Sequence, residues 1–360
     1  MNKFFLATAI FITSAFNTSL TAQDSTKTVT ISGSLDAYYR YNFANNNTLE
    51  NNYNNYTSFT NSQNSFELGM ASLRADATAL SGKVGGTIDL GFGRRAEEFS
   101  YNDGSSGFFS LANIKQLYVT YAPSSKVKFT MGKFGTHVGY ELLDAPLNRN
   151  YSMSYMFTNG PFFHTGIKMD VTAGPVGFML GVTNFTDQST STTATKSLIG
   201  QISGGSSNGK IKAFFNYVGS YGSDSKSIPG ELKSLSQFDL VVTAAVSSKF
   251  NLGANATAQK RDNGVTSGSW KGAALYLNVD PTDIFGLTLR SEYISDKKNV
   301  YFGTTKHIFA NTLSANLKAG PLTFIPELRI ESAESAIYSK NDGTTSKSTA
   351  TVLLAAVYKF

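Results

Sequence analysis

The chain of 360 residues has no cysteine, one tryptophan and only eight prolines. The absence of cysteine excludes a disulfide-stapled fold and thiolate metal sites. Beyond the N-terminal region, no stretch reaches the 18 or more consecutive apolar residues that a transmembrane helix needs. Basic residues form no cluster, although the formal net charge is +6, so we do not expect nucleic-acid binding.

Aromatic residues and glycine are abundant instead, with 27 Phe, 18 Tyr and 32 Gly. Much glycine with little proline is typical of many strands joined by tight turns. Phe and Tyr are residues of the girdles that flank the apolar band of membrane barrels. Because barrel strands alternate lipid-facing and lumen-facing residues, their average hydropathy stays near neutral.

The first strand shows this alternation most clearly. From Val29 to Phe43, one face is apolar and the other carries Ser, Thr, Asp, Arg and Asn. The run exceeds the roughly 9–11 residues that a tilted membrane strand requires. The Asn-rich segment 44–64 that follows is predicted to be a solvated loop.

Alternating segments of this kind, each followed by a connection, repeat to the end of the chain and give about 16 strands. Short turns alternate strictly with long polar loops, which favours a transmembrane antiparallel up-and-down β-barrel with short periplasmic turns and long external loops. A soluble β-sandwich would alternate too, but its loops would not sort into two length classes. The second strand is irregular: Phe66, Leu68 and Met70 are out of phase with Leu73, which predicts a bulge or a later start.

The N-terminal segment has the pattern of a secretory signal peptide. Lys3 supplies the positive charge, residues 4–16 are apolar, and a polar stretch ends at Ala22. We predict a signal peptide over 1–22 and a single outer-membrane barrel over 23–360.

The last strand alternates up to the final residue, Phe360, with Tyr358 two positions earlier. Such an apolar edge would be an aggregation hazard in water, whereas in lipid it would close onto the first strand of a barrel. We predict that Tyr358 and Phe360 are the signal read by the barrel-assembly machinery in the outer membrane of a Gram-negative bacterium. An ordinary buried C-terminal strand is the alternative.

One long connection, residues 134–161, differs from the polar loops because it carries bulky apolar side chains. Long loops with their own hydrophobic content are usually ordered and functional. We predict that it folds inward and narrows the channel, as the third loop of general porins does. An external cap that packs on neighbouring loops is the alternative.

Charges of both signs occupy the faces opposite the apolar ones, which fits a water-filled lumen because an unpaired charge in a packed core is costly. The slightly positive balance predicts a weak preference for anions. The candidates for lining the pore are Lys133, His137, Glu141, Asp144, Arg149, His164, Lys168 and Asp170 in or beside the long loop, and Arg40, Arg74, Arg290 and Arg329 on the wall.

Three segments, 132–141, 148–151 and 161–166, together with the first strand at 31–39, resemble the putative β-barrel porin-2, OmpL-like family. Only the stretch from Gly132 to Gly166 is specific to it. The resemblance implies an outer-membrane porin and supplies no functional residues to transfer.

No hydrolase elbow, P-loop, HExxH or EF-hand motif is present, and His137, His164 and His307 lack metal-ligand spacing. We therefore expect no enzyme and no cofactor. The predicted function is passive diffusion of small hydrophilic solutes. Outer-membrane lipid surrounds the predicted barrel, and the sequence leaves open whether the barrel forms a homo-oligomer. A receptor or adhesin barrel without conduction is the main alternative. A lipid hydrolase would need a Ser/His pair facing lipid, whereas His164 is predicted to point inward.

Overall fold

The computed structural model describes residues 27–45, 54–103, 111–191, 195–221, 234–262, 267–296 and 305–360. The predicted signal peptide, 1–22, lies outside these residues. Within them, sixteen long strands form one closed antiparallel barrel in which each strand pairs with the next and the last pairs with the first. The predicted fold class and strand number are confirmed.

The barrel strands are 9 to 16 residues long. Their bounds are β1 Thr28–Asn42, β2 Ser65–Ala79, β3 Val84–Phe92, β4 Ile114–Ser124, β5 Val127–Gly135, β6 Phe163–Ala173, β7 Val176–Asn184, β8 Lys196–Gly205, β9 Ile211–Tyr221, β10 Ser234–Ala245, β11 Phe250–Asp262, β12 Ser267–Thr282, β13 Phe285–Ser295, β14 His307–Ala319, β15 Leu322–Ala333 and β18 Ser348–Lys359. A small hairpin of β16 Tyr338–Ser339 and β17 Thr345–Ser346 lies in the connection before β18.

Within the described ranges, helical structure is confined to short segments of the connections. These are α1 Arg94–Phe99, α2 Tyr155–Asn159 and two 3-10 turns, Leu111–Asn113 and Ala145–Leu147. Among the described residues, no helix has the length and apolar character needed to cross a membrane.

The connections fall into the two predicted classes. Seven turns of two to five residues join β2 to β3, β4 to β5, and so on in pairs to β14 and β15. Gly174 and Gly320 adopt a φ of 61° in two of these turns, a left-handed conformation that favours glycine. Longer loops leave the opposite rim, which is the external one in a barrel of this type.

Side chains alternate between the two faces of the wall as the sequence predicts. On β18, Leu354 is 50% and Tyr358 39% exposed on the outer face, whereas Leu353, Ala355 and Val357 are buried inside. The apolar residues that are exposed on most strands form the outer band that lipid covers.

The predicted irregularity of the second strand is a β-bulge. Phe66 and Leu68 are 86% and 79% exposed on the outer face, but Met70 is only 2% exposed. The pairing of β1 with β2 shifts by one residue at this point, between Leu35 and Ala37 on β1. The bulge returns the rest of β2 to the phase of its neighbours.

The seam between β1 and β18 reaches the last residue of the chain. Gly33 and Phe360 exchange two backbone hydrogen bonds of 3.0 Å each. A Cβ atom on Gly33 would lie 2.5 Å from the Phe360 ring and 2.5 Å from the carbonyl oxygen of Ser72. The terminal ring therefore needs glycine at position 33. The role of Tyr358 and Phe360 as an assembly signal stays a prediction.

Candidate functional site: the lumen and its inner loop

The connection of residues 134–161, here called the inner loop, lies inside the barrel against the wall. The Gly139 N–H donates to Asp239 on β10 over 3.0 Å, and the Tyr151 N–H donates to Glu327 on β15 over 2.9 Å. Arg149 makes two hydrogen bonds of 2.8 and 3.0 Å to Asp280 on β12. Because these acceptors lie on well-separated strands of one wall, the loop runs along that wall from β10 to β15.

Apolar packing explains why this loop enters the barrel. Most of its bulky residues, though not Leu142 and Leu147, are buried, and they contact side chains from the wall and from other external loops. The buried residues are Val138, Ala145, Tyr151, Met153, Tyr155, Met156 and Phe157. Tyr155 and Met156 pack with Trp270 and Ile294, whereas Met153 and Phe157 pack with Phe59, Phe99, Phe162 and Phe163. This burial removes from water most of the apolar surface that distinguishes this loop from the polar loops.

Arg290 on β13 is the central electrostatic anchor of the loop and has no exposed side-chain surface. Its guanidinium donates to Glu141 over 2.6 Å and to the Ser152 carbonyl oxygen over 2.7 Å. Glu141 also accepts the Ser154 N–H over 2.7 Å. One wall residue thus fastens both limbs of the inner loop, and its buried charge is paired.

A second group of wall residues holds the end of the loop near the seam. The Tyr151 hydroxyl donates to Asp36 on β1 over 2.5 Å. The Tyr155 N–H donates to Glu292 over 2.7 Å and its hydroxyl donates to Glu331 over 2.5 Å.

Arg329 lies between these carboxylates. It is 3.1 Å from Glu292 and 3.0 Å from Glu331, and it donates to the Met153 carbonyl oxygen over 3.1 Å. Its guanidinium also stacks on the Tyr155 ring, with 5.0 Å to the ring centre. The acidic groups of this wall therefore bind the loop backbone and the arginines.

The tip of the loop is held from the opposite side. Asp144, just before the 3-10 turn, forms an ion pair with Lys115 on β4. Lys115 also lies 3.0 Å from Asp89 on β3, and its side chain is only 1% exposed. The tip therefore spans the lumen between two walls.

The predicted histidines and Lys133 support the root of the loop. His137 makes a 3.1 Å hydrogen bond to the Tyr217 carbonyl oxygen, and His164 makes a 3.2 Å hydrogen bond to the Thr136 hydroxyl. Burial lowers the pKa of His137 to about 4, so this ring is neutral at neutral pH. Lys133 pairs with Asp103 over 2.7 Å and lies 3.9 Å from the centre of the Phe163 ring.

The remaining candidates lie on the wall, where they pair with other wall residues or with a different external loop. Arg74 pairs with Asp76 over 2.7 Å, and Lys168 pairs with Asp170 over 3.2 Å; all four side chains are 21–36% exposed. Arg40 is 3% exposed and donates to the Ser62 carbonyl oxygen over 2.5 Å. Their part in lining a pore stays a prediction.

Sequence reasoning missed Lys115, Asp280 and Asp103 as site residues. Alternation from the exposed Leu117 would place Lys115 on the lipid side, but a register shift between β3 and β4 turns it inward. Asp280 lies next to a turn, and a carboxylate at such a position is predicted to be solvated. Asp103 follows α1 in a polar connection, and no pattern in the sequence links it to Lys133.

Open space remains on both sides of the loop tip. A cavity of about 530 Å³ lies between the tip and the wall of β1 to β4, and Leu142, Leu147, Arg74 and Gln116 line it. A smaller one of about 200 Å³ lies between Leu147 and the wall of β14, β15 and β18. In the part of the chain that is described, no group of three or more acidic or histidine side chains is placed to hold a metal ion.

Comparisons with known proteins agree with this architecture. The sequence model of the family described as "Putative beta-barrel porin-2, OmpL-like" matches residues 28–360. No curated protein matches the chain.

Similar folds occur among solved structures. The outer membrane channel DcaP of Acinetobacter baumannii shares 15% identity, with 93% of this chain and 97% of that chain covered and a TM-score of 0.62. The trimer form of OmpT of Vibrio cholerae shares 12% identity over 93% and 99% of the two chains, with a TM-score of 0.60. A further porin shares 12% identity over 92% and 100%, with a TM-score of 0.54.

Proposed function

Because the chain belongs to the β-barrel porin-2, OmpL-like family, we propose that its lumen lets small hydrophilic solutes diffuse passively through a constriction formed by the inner loop. The protein is a porin of the outer membrane of a Gram-negative bacterium. The proposal concerns the route, the size limit and the charge preference of the passage.

The anchoring of the inner loop is the observation that supports this proposal. Hydrogen bonds and ion pairs to Asp239, Asp280, Arg290 and Glu327 hold the loop against one wall. An ion pair between Asp144 and Lys115 ties its tip to the opposite wall. The cavity beside Arg74 remains on the other side. A rigid loop that covers part of the cross-section sets the pore diameter, and the charged groups beside it set ionic selectivity.

Two lysines of the open wall support a weak preference for anions. Lys128 on β5 and Lys212 on β9 share the inward phase of the buried Thr130 and Asn216, and both are exposed. Neither has a carboxylate within ion-pairing distance among the described residues. Their excess charge is screened in a wet channel, because the Debye length is about 8 Å at physiological salt.

The same proposal excludes catalysis and includes self-association. His164 is fully buried and bonded to Thr136, so it does not meet lipid as a hydrolase would require. OmpT of Vibrio cholerae is described in a trimer form, and we extend this state to the present chain. A receptor or adhesin barrel without conduction is the alternative.

The test is the reversal potential of the purified protein in a planar bilayer under a KCl gradient. Lys128→Glu and Lys212→Glu should shift selectivity toward cations. Lys340→Glu, in the exposed turn of the small hairpin, makes the same charge change outside the lumen and should leave selectivity as in the wild type. If folded protein never conducts, the receptor alternative replaces the porin proposal; if it conducts without a shift, these lysines do not set selectivity.

A further inference from the structure

Two leucines of the inner loop stay exposed inside the lumen. Leu142 is 47% and Leu147 64% exposed, whereas Met153, Tyr155 and Phe157 of the same loop are buried. Both leucines line the cavity of about 530 Å³ beside the loop tip. The passage therefore has an apolar flank at the place where the loop narrows it.

The wall that faces this flank is polar. Ser32, Ser34 and Ser72 line the cavity together with Arg74 and Gln116. Hydroxyl, amide and guanidinium groups of this kind give directed hydrogen bonds, and an apolar surface opposite them binds without direction. Such a lining favours a solute that has one apolar and one polar side over a solute that is polar on all sides.

Charges of both signs line the cavity, and the exposed Lys359 adds a further cation to it. Arg74 pairs with Asp76 over 2.7 Å and is 30% exposed. Lys115 pairs with Asp89 over 3.0 Å and also with Asp144, which is 23% exposed. A passing solute thus meets the Arg74 cation on the wall and the Asp144 carboxylate on the loop tip. Both signs would complement a zwitterion, whereas a solute of one sign would find its like charge nearby.

We propose that the passage beside the loop tip is a subsite for small zwitterions that carry an aliphatic group, the class to which aliphatic amino acids belong. The proposal rests on the proposed diffusion function and names the solutes that this function serves best. The aliphatic group lies on Leu142 and Leu147, the carboxylate group faces Arg74 on the wall, and the ammonium group faces Asp144 on the loop tip. Burial of one methylene group favours binding by about fourfold.

The experiment compares leucine and asparagine, two zwitterions of similar size, as blockers of the KCl current through single channels in a planar bilayer. In the wild type, leucine should reach half-maximal block at a concentration at least about fourfold lower than asparagine. In the double variant Leu142→Ser/Leu147→Ser this ratio should fall toward one. The double variant Leu142→Met/Leu147→Met keeps an apolar flank and should keep the ratio.

The outcomes separate this inference from the function on which it rests. Channels that carry KCl but show the same half-blocking concentration for both amino acids, or no block by either, overturn the subsite alone. A ratio that survives the serine substitutions overturns the role of the two leucines. Folded protein that carries no KCl current overturns the diffusion function and the subsite together.

Discussion

Removal of the Arg290 guanidinium should release the inner loop while leaving the barrel closed. In Arg290→Met, Glu141 loses a 2.6 Å ion pair and the Ser152 carbonyl oxygen loses a 2.7 Å hydrogen bond. Glu292 keeps Arg329 at 3.1 Å, so the main penalty comes from the unpaired carboxylate of Glu141.

The magnitude follows from the burial of this pair, whose side chains are 0% and 4% exposed. Breaking a buried pair by removal of one partner costs about 3–5 kcal/mol. The barrel itself is held by strand pairing around its whole circumference, so the loop is the part that yields. We therefore expect a larger and noisier single-channel conductance from protein that still migrates as a folded, heat-modifiable barrel.

Two further variants make the reasoning refutable. Arg290→Met/Glu141→Gln removes the stranded charge and should restore much of the quiet, narrow conductance. Lys212→Met removes one positive charge from the inner wall, where Lys212 makes no ion pair among the described residues, and should not open the channel. Unchanged conductance in Arg290→Met would show that the loop does not depend on this anchor. A double variant that is no quieter than the single one would show that the cost is not the charge of Glu141.

Two other predictions concern the seam and an external loop. Gly33→Leu should reduce the amount of heat-modifiable barrel in the outer membrane, because a Cβ at this position meets the terminal ring at 2.5 Å; Gly86→Leu, where a Cβ comes no closer than 3.8 Å to any atom, is the control and should assemble normally. Asp187, in the loop after β7, accepts the N–H groups of Phe162 and Phe163 over 2.6 and 3.0 Å. Burial raises the pKa of Asp187 to about 7, so the folded state holds a proton that the unfolded chain releases near pH 4. The local stability of the loop after β7 should therefore fall as the pH rises from about 4 to 7, which hydrogen exchange would report. Asp187→Asn should remove this pH dependence. Equal protection of the wild-type loop at pH 5 and pH 8 would contradict the prediction.

The wall of the barrel could be predicted from the sequence, because the period-two alternation of a strand is a local property. The outward phase of Leu354 and the inward phase of Leu353 follow from their neighbours alone. Even the bulge near Met70 is visible as a break of phase. Where the alternation does not reveal a bulge, as beside Lys115, the same reasoning assigns a side chain to the wrong face of the wall.

The contacts inside the lumen could not be predicted in the same way. Alternation states whether a side chain points inward but gives neither its height nor its partner across the lumen. Glu141 and Arg290 are 149 residues apart, and Arg149 and Asp280 are 131 residues apart. The bulky apolar content of residues 134–161 indicated a loop with its own packing, but the choice of wall depends on shape in three dimensions.

The position of Tyr151 has a consequence for the order of events during folding. Its hydroxyl contacts Asp36 on the first strand, 115 residues away, and its N–H contacts Glu327 near the end, 176 residues away. Contacts of such long range form late, because the chain must first lose the entropy of closing large loops. A barrel whose first and last strands have not yet met cannot offer both partners to Tyr151. The narrow passage is therefore expected to appear only with closure, and an assembly intermediate would be wider and leakier than the finished channel.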